Sequence, residues 1–194
     1  MVRKTAHKRP DLLLVCHANR ARSPLAAHLL RRWADQHGVE PRPRIASSGV
    51  YAGVGEPLLD SVHQFLEQRG VDGLTHASRP FDTDEAVAAG LVVTFERALL
   101  RAVVARDPAL VGHTFTLREV IRLTSSPLFG ESPGEDLAAR LQWLRPRVSP
   151  GDDDTPDPAQ VSRRGARRLL EELASDVERV APVLLRRTHS LATP

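Results

Sequence analysis

The single cysteine of the 194-residue chain, Cys16, is followed six residues later by Arg22 and then by Ser23. Residues of these types at this spacing suit the chemistry of a tetrahedral oxyanion. A thiolate is a nucleophile, and an arginine offers a planar fork that grips two phosphate oxygens at once. Between them His17, Ala18, Asn19, Arg20 and Ala21 form a loop long enough for its backbone amides to wrap around three such oxygens as a nest. The same positive surroundings favour thiolate over thiol. The Ser23 hydroxyl can donate a hydrogen bond to the sulfur, and again when sulfur departs as a leaving group. A nucleophile, an oxyanion cradle and a charge clamp thus fit within one short loop.

Cys-x5-Arg alone is a weak pattern, and a lone cysteine is more often a buried small hydrophobe. Its position gives it weight. Asp11-Leu12-Leu13-Leu14-Val15 reads as a short strand buried on both faces. After the loop, Ser23 is a candidate N-cap and Pro24 the first helical residue, at a helix start whose free amides and dipole attract anions. Leu25, Leu29, Leu30, Trp33 and Ala34 repeat at helical spacing, and Gly38 can end the helix. Further strands are expected at Arg44-Ile45-Ala46-Ser47, at Leu91-Val92-Val93-Thr94-Phe95 and at Thr114-Phe115-Thr116. Helices are expected from Pro57 to Gly70, after Asp82 with Glu85, over Arg97 to Arg106, after Thr116 with Glu119, and after Ser132 with Glu135. The last helix spans Val161 to about Ala181, with Ala166, Leu169, Leu173, Val177 and Val180 on one stripe and Pro182 kinking or ending it.

Strands alternating with helices predict an α/β fold, a four-stranded parallel sheet with helices on both faces and the phosphate loop after the first strand. Ligands of such sheets bind where strand ends lead into helices, which places both the Cys16 loop and the Ser47 loop at the site. Residues 1–10 read as a flexible basic tail and 11–194 as a single domain. The segment Ser125 to Asp157, rich in Pro, Gly, Ser and Asp, reads as a long connection of the functional or mobile kind.

Composition narrows the partners. The chain is 41% hydrophobic and 26% charged with a net charge of +3, which fits an ordinary globular protein. No run approaches the roughly 18 apolar residues of a membrane span, and Leu12–Val15 is too short for a secretory core, so a cytoplasmic location without membrane contact is expected. Only Lys4 and Lys8 are lysines, and the arginines alternate with acids while aromatics are 4%. A salt-bridged surface is expected, and no nucleic-acid partner. His17, His28, His37, His63, His113 and His189 lack metal-ligand spacing, and with one cysteine neither a disulfide nor a multi-cysteine zinc site can form. No metal or cofactor is expected.

The stretch Val15-Cys16-His17-Ala18-Asn19-Arg20-Ala21-Arg22-Ser23-Pro24 resembles the N-terminal loop of the low-molecular-weight protein tyrosine phosphatase family. Ile45-Ala46-Ser47-Ser48-Gly49 resembles that family's second loop, with Ser47 at the serine that braces the first. His76-Ala77-Ser78-Arg79 resembles its His-x-Ser-Arg segment, Leu91 to Phe95 its central strand, and Thr155-Pro156-Asp157-Pro158 the Asp-Pro loop before its last helix. The likeness spans most of residues 11 to 187. It implies that Cys16 attacks phosphorus in line and that Asp157 protonates the leaving oxygen, then acts as base on the water that cleaves a phosphocysteine. Arg22 and the loop amides of His17 to Ala21 would bind the equatorial oxygens, with Asn19 and Ser47 holding the loop. The implied substrate is a phosphotyrosine protein or small aryl phosphate, acted on by a monomer or weak dimer. His76 reads as a satisfied structural histidine.

Three positions depart from the family pattern. Ala21 stands where a second, protective cysteine is common, so Cys16 would oxidise without local rescue. Ala159-Gln160 replace aromatics that wall the substrate ring, leaving Tyr51 as the candidate wall. Asp157 follows Asp152-Asp153-Asp154, which makes Asp154 the alternative acid. Two other functions fit the same pocket: arsenate reduction coupled to a small-molecule thiol, and phosphate binding without catalysis.

Overall fold

The computed structural model describes residues 10–73, 75–134 and 136–185. The predicted tail lies outside the described residues apart from Pro10, as do Glu135 and His189. Four parallel strands, β1 (Leu12–Cys16), β2 (Ile45–Gly49), β3 (Leu91–Thr94) and β4 (Thr114–Thr116), form one sheet in the order β2-β1-β3-β4. The two middle strands are buried along their whole length, which is why they read as continuous apolar runs. Leu12, Leu14 and Cys16 face a large core with helices α1 (Arg22–Gln36), α2 (Asp60–Glu67), α5 (Leu117–Thr124) and α7 (Arg163–Leu185). Leu13 and Val15 face a smaller core with α3 (Thr83–Ala88) and α4 (Arg97–Val104). Full burial of each such leucine contributes roughly 1.5–3 kcal/mol. The predicted helices on both faces of a four-stranded parallel sheet are therefore present.

Several boundaries differ from expectation, each for a local reason. Helix α1 begins at Arg22 with Ala21 at its N-cap, because the Ser23 hydroxyl is turned to Cys16 rather than to the helix amides. Strand β2 continues through Ser48 and Gly49, since Cys16 pairs with Gly49 across the ladder. Helix α2 starts at Asp60, not Pro57, and Pro57 instead lends its carbonyl to Arg20. Asp82 caps α3 through the amide of Glu85, but the Glu85 carboxylate goes to Arg79, so only half of that box forms. The Thr116–Glu119 box is complete. Helix α6 (Leu137–Leu144) is capped by Asp136, not Ser132. Helix α7 runs through Pro182 to Leu185, and Leu170 takes the core position expected of Leu169. Among the described residues no helix is long and apolar enough to cross a membrane, and no group of three or more His, Cys, Asp or Glu could hold a metal ion.

Candidate active site

Strand β1 delivers Cys16 to the edge of the sheet, and the chain returns as α1 only at Arg22, leaving residues 17–21 as the connecting loop. The loop's carbonyls are engaged around it. Those of Cys16 and His17 accept from the amides of Val50 and Tyr51 at 3.0 and 2.9 Å, that of Arg20 from Leu59 at 3.0 Å, and that of Ala21 from Leu25 at 3.0 Å. Among the described residues the amides of 17–21 donate to no protein acceptor, the state expected of a nest that awaits an anion.

Asn19 is the keystone of the loop's shape. Its φ of 54° turns the chain back on itself, a conformation that asparagine tolerates better than most side chains. Its amide nitrogen donates to Ser23 Oγ at 3.0 Å and to Ser47 Oγ at 3.1 Å. Its side-chain oxygen accepts from the Arg79 amide at 3.0 Å, and its carbonyl accepts from His76 Nε2 at 2.7 Å. That bond requires a hydrogen on Nε2. Burial, chiefly, lowers the His76 pKa, with the Arg31 charge adding to it and the Asn19 bond opposing. Arg79 in turn holds the Ser47 carbonyl at 2.7 Å and pairs with Glu85. Gly49 completes the support. A Cβ there would lie 2.7 Å from both Asn19 N and His17 O, so only glycine lets β2 abut the loop.

Within this frame the sulfur, the clamp and the acid converge. Ser23 Oγ donates to Cys16 Sγ at 3.0 Å, and both residues are buried. Arg22 is only 1% exposed. Its Nη1 donates to the Thr155 carbonyl at 3.0 Å, while Nη2 lies 2.6 Å from Asp157 Oδ2 and 3.0 Å from Glu96 Oε1. Its Nε is buried and has no partner among the described residues, an unmet donor that an anion's oxygen would satisfy. The segment before Asp157 is pinned to the sheet: the Thr155 amide donates to the Phe95 carbonyl at 2.6 Å, and Arg122 holds buried Asp153 with bonds of 2.9 and 2.8 Å. Asp154 is used elsewhere, accepting from the Arg97 amide at 2.6 Å where α4 begins. The 145–157 stretch is thus a pinned strap rather than a free loop.

The rim is formed by other predicted residues. The exposed Tyr51 ring packs against His17 with centroids 4.7 Å apart. Arg20 contributes only backbone to the loop, because its guanidinium is drawn off to the Pro57 carbonyl at 2.9 Å and to Glu56 at 3.1 Å. Ala18 is half-buried and Ala21 buried, and Cys16 is a free cysteine. The structure brings together Cys16, Asn19, Arg22, Ser23, Ser47 and Asp157. Sequence reasoning missed Glu96 and the part played by Gly49, although Gly49 ends β2 and Glu96 follows β3 by two residues, where α/β ligand sites form.

Comparison with known proteins places the chain in a family. Residues 11–125 match the family model "Low molecular weight phosphotyrosine protein phosphatase". Over 109 residues the chain is 30% identical to a probable low molecular weight protein-tyrosine-phosphatase, EpsP, of Ralstonia solanacearum, covering 56% of this chain and 71% of that one. The crystal structure of a low molecular weight protein tyrosine phosphatase from T. tengcongensis aligns with a TM-score of 0.67 at 20% identity, over 89% of this chain and 97% of the other. A mutant of the YwlE arginine phosphatase with a phosphorylated active site serine aligns with a TM-score of 0.69 at 20% identity, over 92% and 99% of the two chains. Asp157 lies beyond the matched residues, yet it meets Arg22 from within them. The chain belongs to the low molecular weight phosphotyrosine protein phosphatase family.

Proposed function

We propose that this enzyme hydrolyses phosphotyrosine-type phosphomonoesters through a phosphocysteine intermediate. The observation that carries this reading is Arg22: buried, held from behind by Glu96 and the Thr155 carbonyl, and in contact with Asp157, with one donor left unmet beside the phosphate loop. A bound phosphate dianion would compete with Asp157 for the guanidinium. The displaced carboxyl, in its neutral form, would then be free to serve the leaving oxygen.

In the first step Cys16 Sγ forms a bond to phosphorus as the phosphorus–oxygen ester bond breaks. Asp157 gives its proton to the departing phenolate, and the phosphoryl group stays on sulfur. In the second step water attacks phosphorus, Asp157 takes a proton from it, and the phosphorus–sulfur bond breaks to return the thiolate, to which the Ser23 hydroxyl donates a hydrogen bond. Arg22 and the free loop amides balance the charge of the equatorial oxygens in both steps, a role worth several kcal/mol in comparable sites. Tyr51 and His17 give the phenyl ring an aromatic neighbour at the rim. That a relative is known with a phosphorylated active site serine supports a covalent route.

Aryl-phosphate hydrolysis between pH 5 and 8 tests the reading. Cys16→Ser is expected to be inactive while still binding phosphate or vanadate, and Asp157→Asn to lose most of kcat with little change in KM. An unimpaired Asp157→Asn enzyme would remove Asp157 from the mechanism, and an active Cys16→Ser enzyme would remove the sulfur. Arsenate turnover with a small thiol in place of aryl-phosphate hydrolysis would instead favour the reductase.

A further inference from the structure

A cleft of about 210 Å³ lies between α2 and the first two turns of α7. Ser61 and Gln64 line it from α2, Arg163 and Arg167 from α7, with buried Phe65 and Leu170 beneath. Both walls are tied to the phosphate loop. The Leu59 amide, just ahead of α2, donates to the Arg20 carbonyl at 3.0 Å. Arg163 follows Asp157 by six residues, a stretch that spans at most about 20 Å, and Asp157 is itself held by Arg22. The start of α2 thus abuts the phosphate loop, and Arg163 stands no more than about 20 Å from Asp157, within the reach of a short stretch of extended peptide.

Part of the charge at the start of α7 is left without an acidic partner among the described residues. Arg163, Arg164, Arg167 and Arg168 fall within the first six residues of α7, and no acid occupies its first turn. Guanidinium groups at a helix start oppose the positive end of the helix dipole. Arg167 and Arg168 find acids one turn on, Glu171 at 3.7 Å and Glu172 at 2.8 Å. Among the described residues Arg163 and Arg164 pair with no acid. The one acid lining the cleft, Asp60, sits in the first turn of α2, where that helix's own dipole favours it. A basic wall placed against local helix energetics, facing one acid and several neutral hydrogen-bonding groups, fits an anionic partner brought in by binding. A protein substrate bound at the phosphate loop extends within reach of this cleft.

We propose that the α2–α7 cleft docks acidic side chains flanking the phosphorylated residue of a protein substrate, with Arg163 and Arg167 as the charged contacts and Ser61 and Gln64 as neutral ones. This rests on the phosphatase reading above. The chemistry selected is a phosphopeptide carrying Glu or Asp within a few positions of the phosphorylated residue.

The test compares three substrates: a phosphotyrosine peptide flanked by glutamates, the same peptide with glutamines, and a small aryl phosphate. They are offered to the wild type, to Arg163→Glu, and to Arg106→Glu, which makes the same charge change at an exposed position after α4. The wild type should prefer the glutamate peptide. In Arg163→Glu the ratio of its kcat/KM to that of the aryl phosphate should fall by about tenfold, mostly through KM and less so at high salt, as for a charged contact at a binding rim. Arg106→Glu should keep the wild-type ratio. Equal treatment of the two peptides by the wild type, or an equal fall in both variants, would overturn the docking site alone. A wild type that leaves the aryl phosphate untouched would bring down the phosphatase reading, and this proposal with it.

Discussion

Arg22 and Asp157 stand 135 residues apart in the chain, yet Nη2 of one lies 2.6 Å from Oδ2 of the other. The contact joins the two ends of the family resemblance, the loop after β1 and the Asp-Pro pair before α7. It also sets a task for the substrate, because the phosphate must take over a guanidinium that a carboxylate already holds. A third group, Glu96, shares the same nitrogen at 3.0 Å. In the proposed mechanism Asp157 would turn to the leaving oxygen, and Glu96 and the Thr155 carbonyl would remain to keep the guanidinium in place.

Glu96→Gln is therefore expected to weaken catalysis without touching the reacting atoms. An amide still fills the space but no longer balances the Arg22 charge. A fall in kcat/KM on the order of tenfold follows from losing about 1.4 kcal/mol of charge-assisted bonding. Steady-state kinetics on an aryl phosphate check this, and a variant as fast as wild type would make Glu96 a bystander.

Gly49→Ala places a methyl group 2.7 Å from Asn19 N and His17 O. Backbone on both sides cannot yield as a flexible side chain would. Overpacking of this kind costs roughly 1–3 kcal/mol, and the distortion falls on the phosphate loop. Urea denaturation should show the loss of stability, and phosphate affinity should drop along with it. A variant with wild-type phosphate binding would mean that the loop does not depend on this close approach.

Acid should destabilise the fold through His28. Its pKa is lowered from 6.5 to about 4, chiefly by burial, with Arg31 and His76 adding to the effect and Asp72 opposing it. The unfolded chain thus takes up this proton at a higher pH than the folded one. Stability from the neutral ring is complete above about pH 6.5 and declines as pH falls from there toward 4. His76 shifts in the same direction. The urea midpoint of the wild type should fall more between pH 7 and pH 5 than that of His28→Gln, and identical falls would exclude His28 as a source.

Peroxide should inactivate the enzyme through Cys16, the only cysteine in the chain, with Ala21 where a partner thiol would otherwise stand. The sulfenic acid has no internal thiol with which to form a disulfide. Activity should return on addition of dithiothreitol and not on removal of peroxide alone. Spontaneous full recovery would contradict this.

Much of this site was legible in local sequence because local physics builds it. The apolar run Leu12–Val15 reads as an interior strand, and the following loop must turn at once into α1, so Cys16, Arg22 and Ser23 were readable from their spacing together with the strand before and the helix start after. The Thr116–Glu119 box formed as its residues dictate. What stayed hidden depends on contacts between distant segments. Ser23 looks like an N-cap, but a sulfur 3.0 Å away takes its hydroxyl. His76 and Arg79 brace Asn19 across 57 and 60 residues; the family resemblance singled out their segment, but not the partner it holds. Leu170 replaces Leu169 in the core because the helical phase is set by packing against α1, α2 and α5, not by the count from Val161.

The covalent step is tested most directly by rapid acid quench of wild-type and Asp157→Asn enzyme mixed with nitrophenyl phosphate, whose leaving group departs without needing a proton. A burst of nitrophenol close to one per enzyme is predicted, with a phosphate adduct mapped to the peptide that contains Cys16 and longer-lived in the Asp157→Asn variant. Nitrophenol release with no phosphate on the protein, or with the adduct on another residue, would contradict the account.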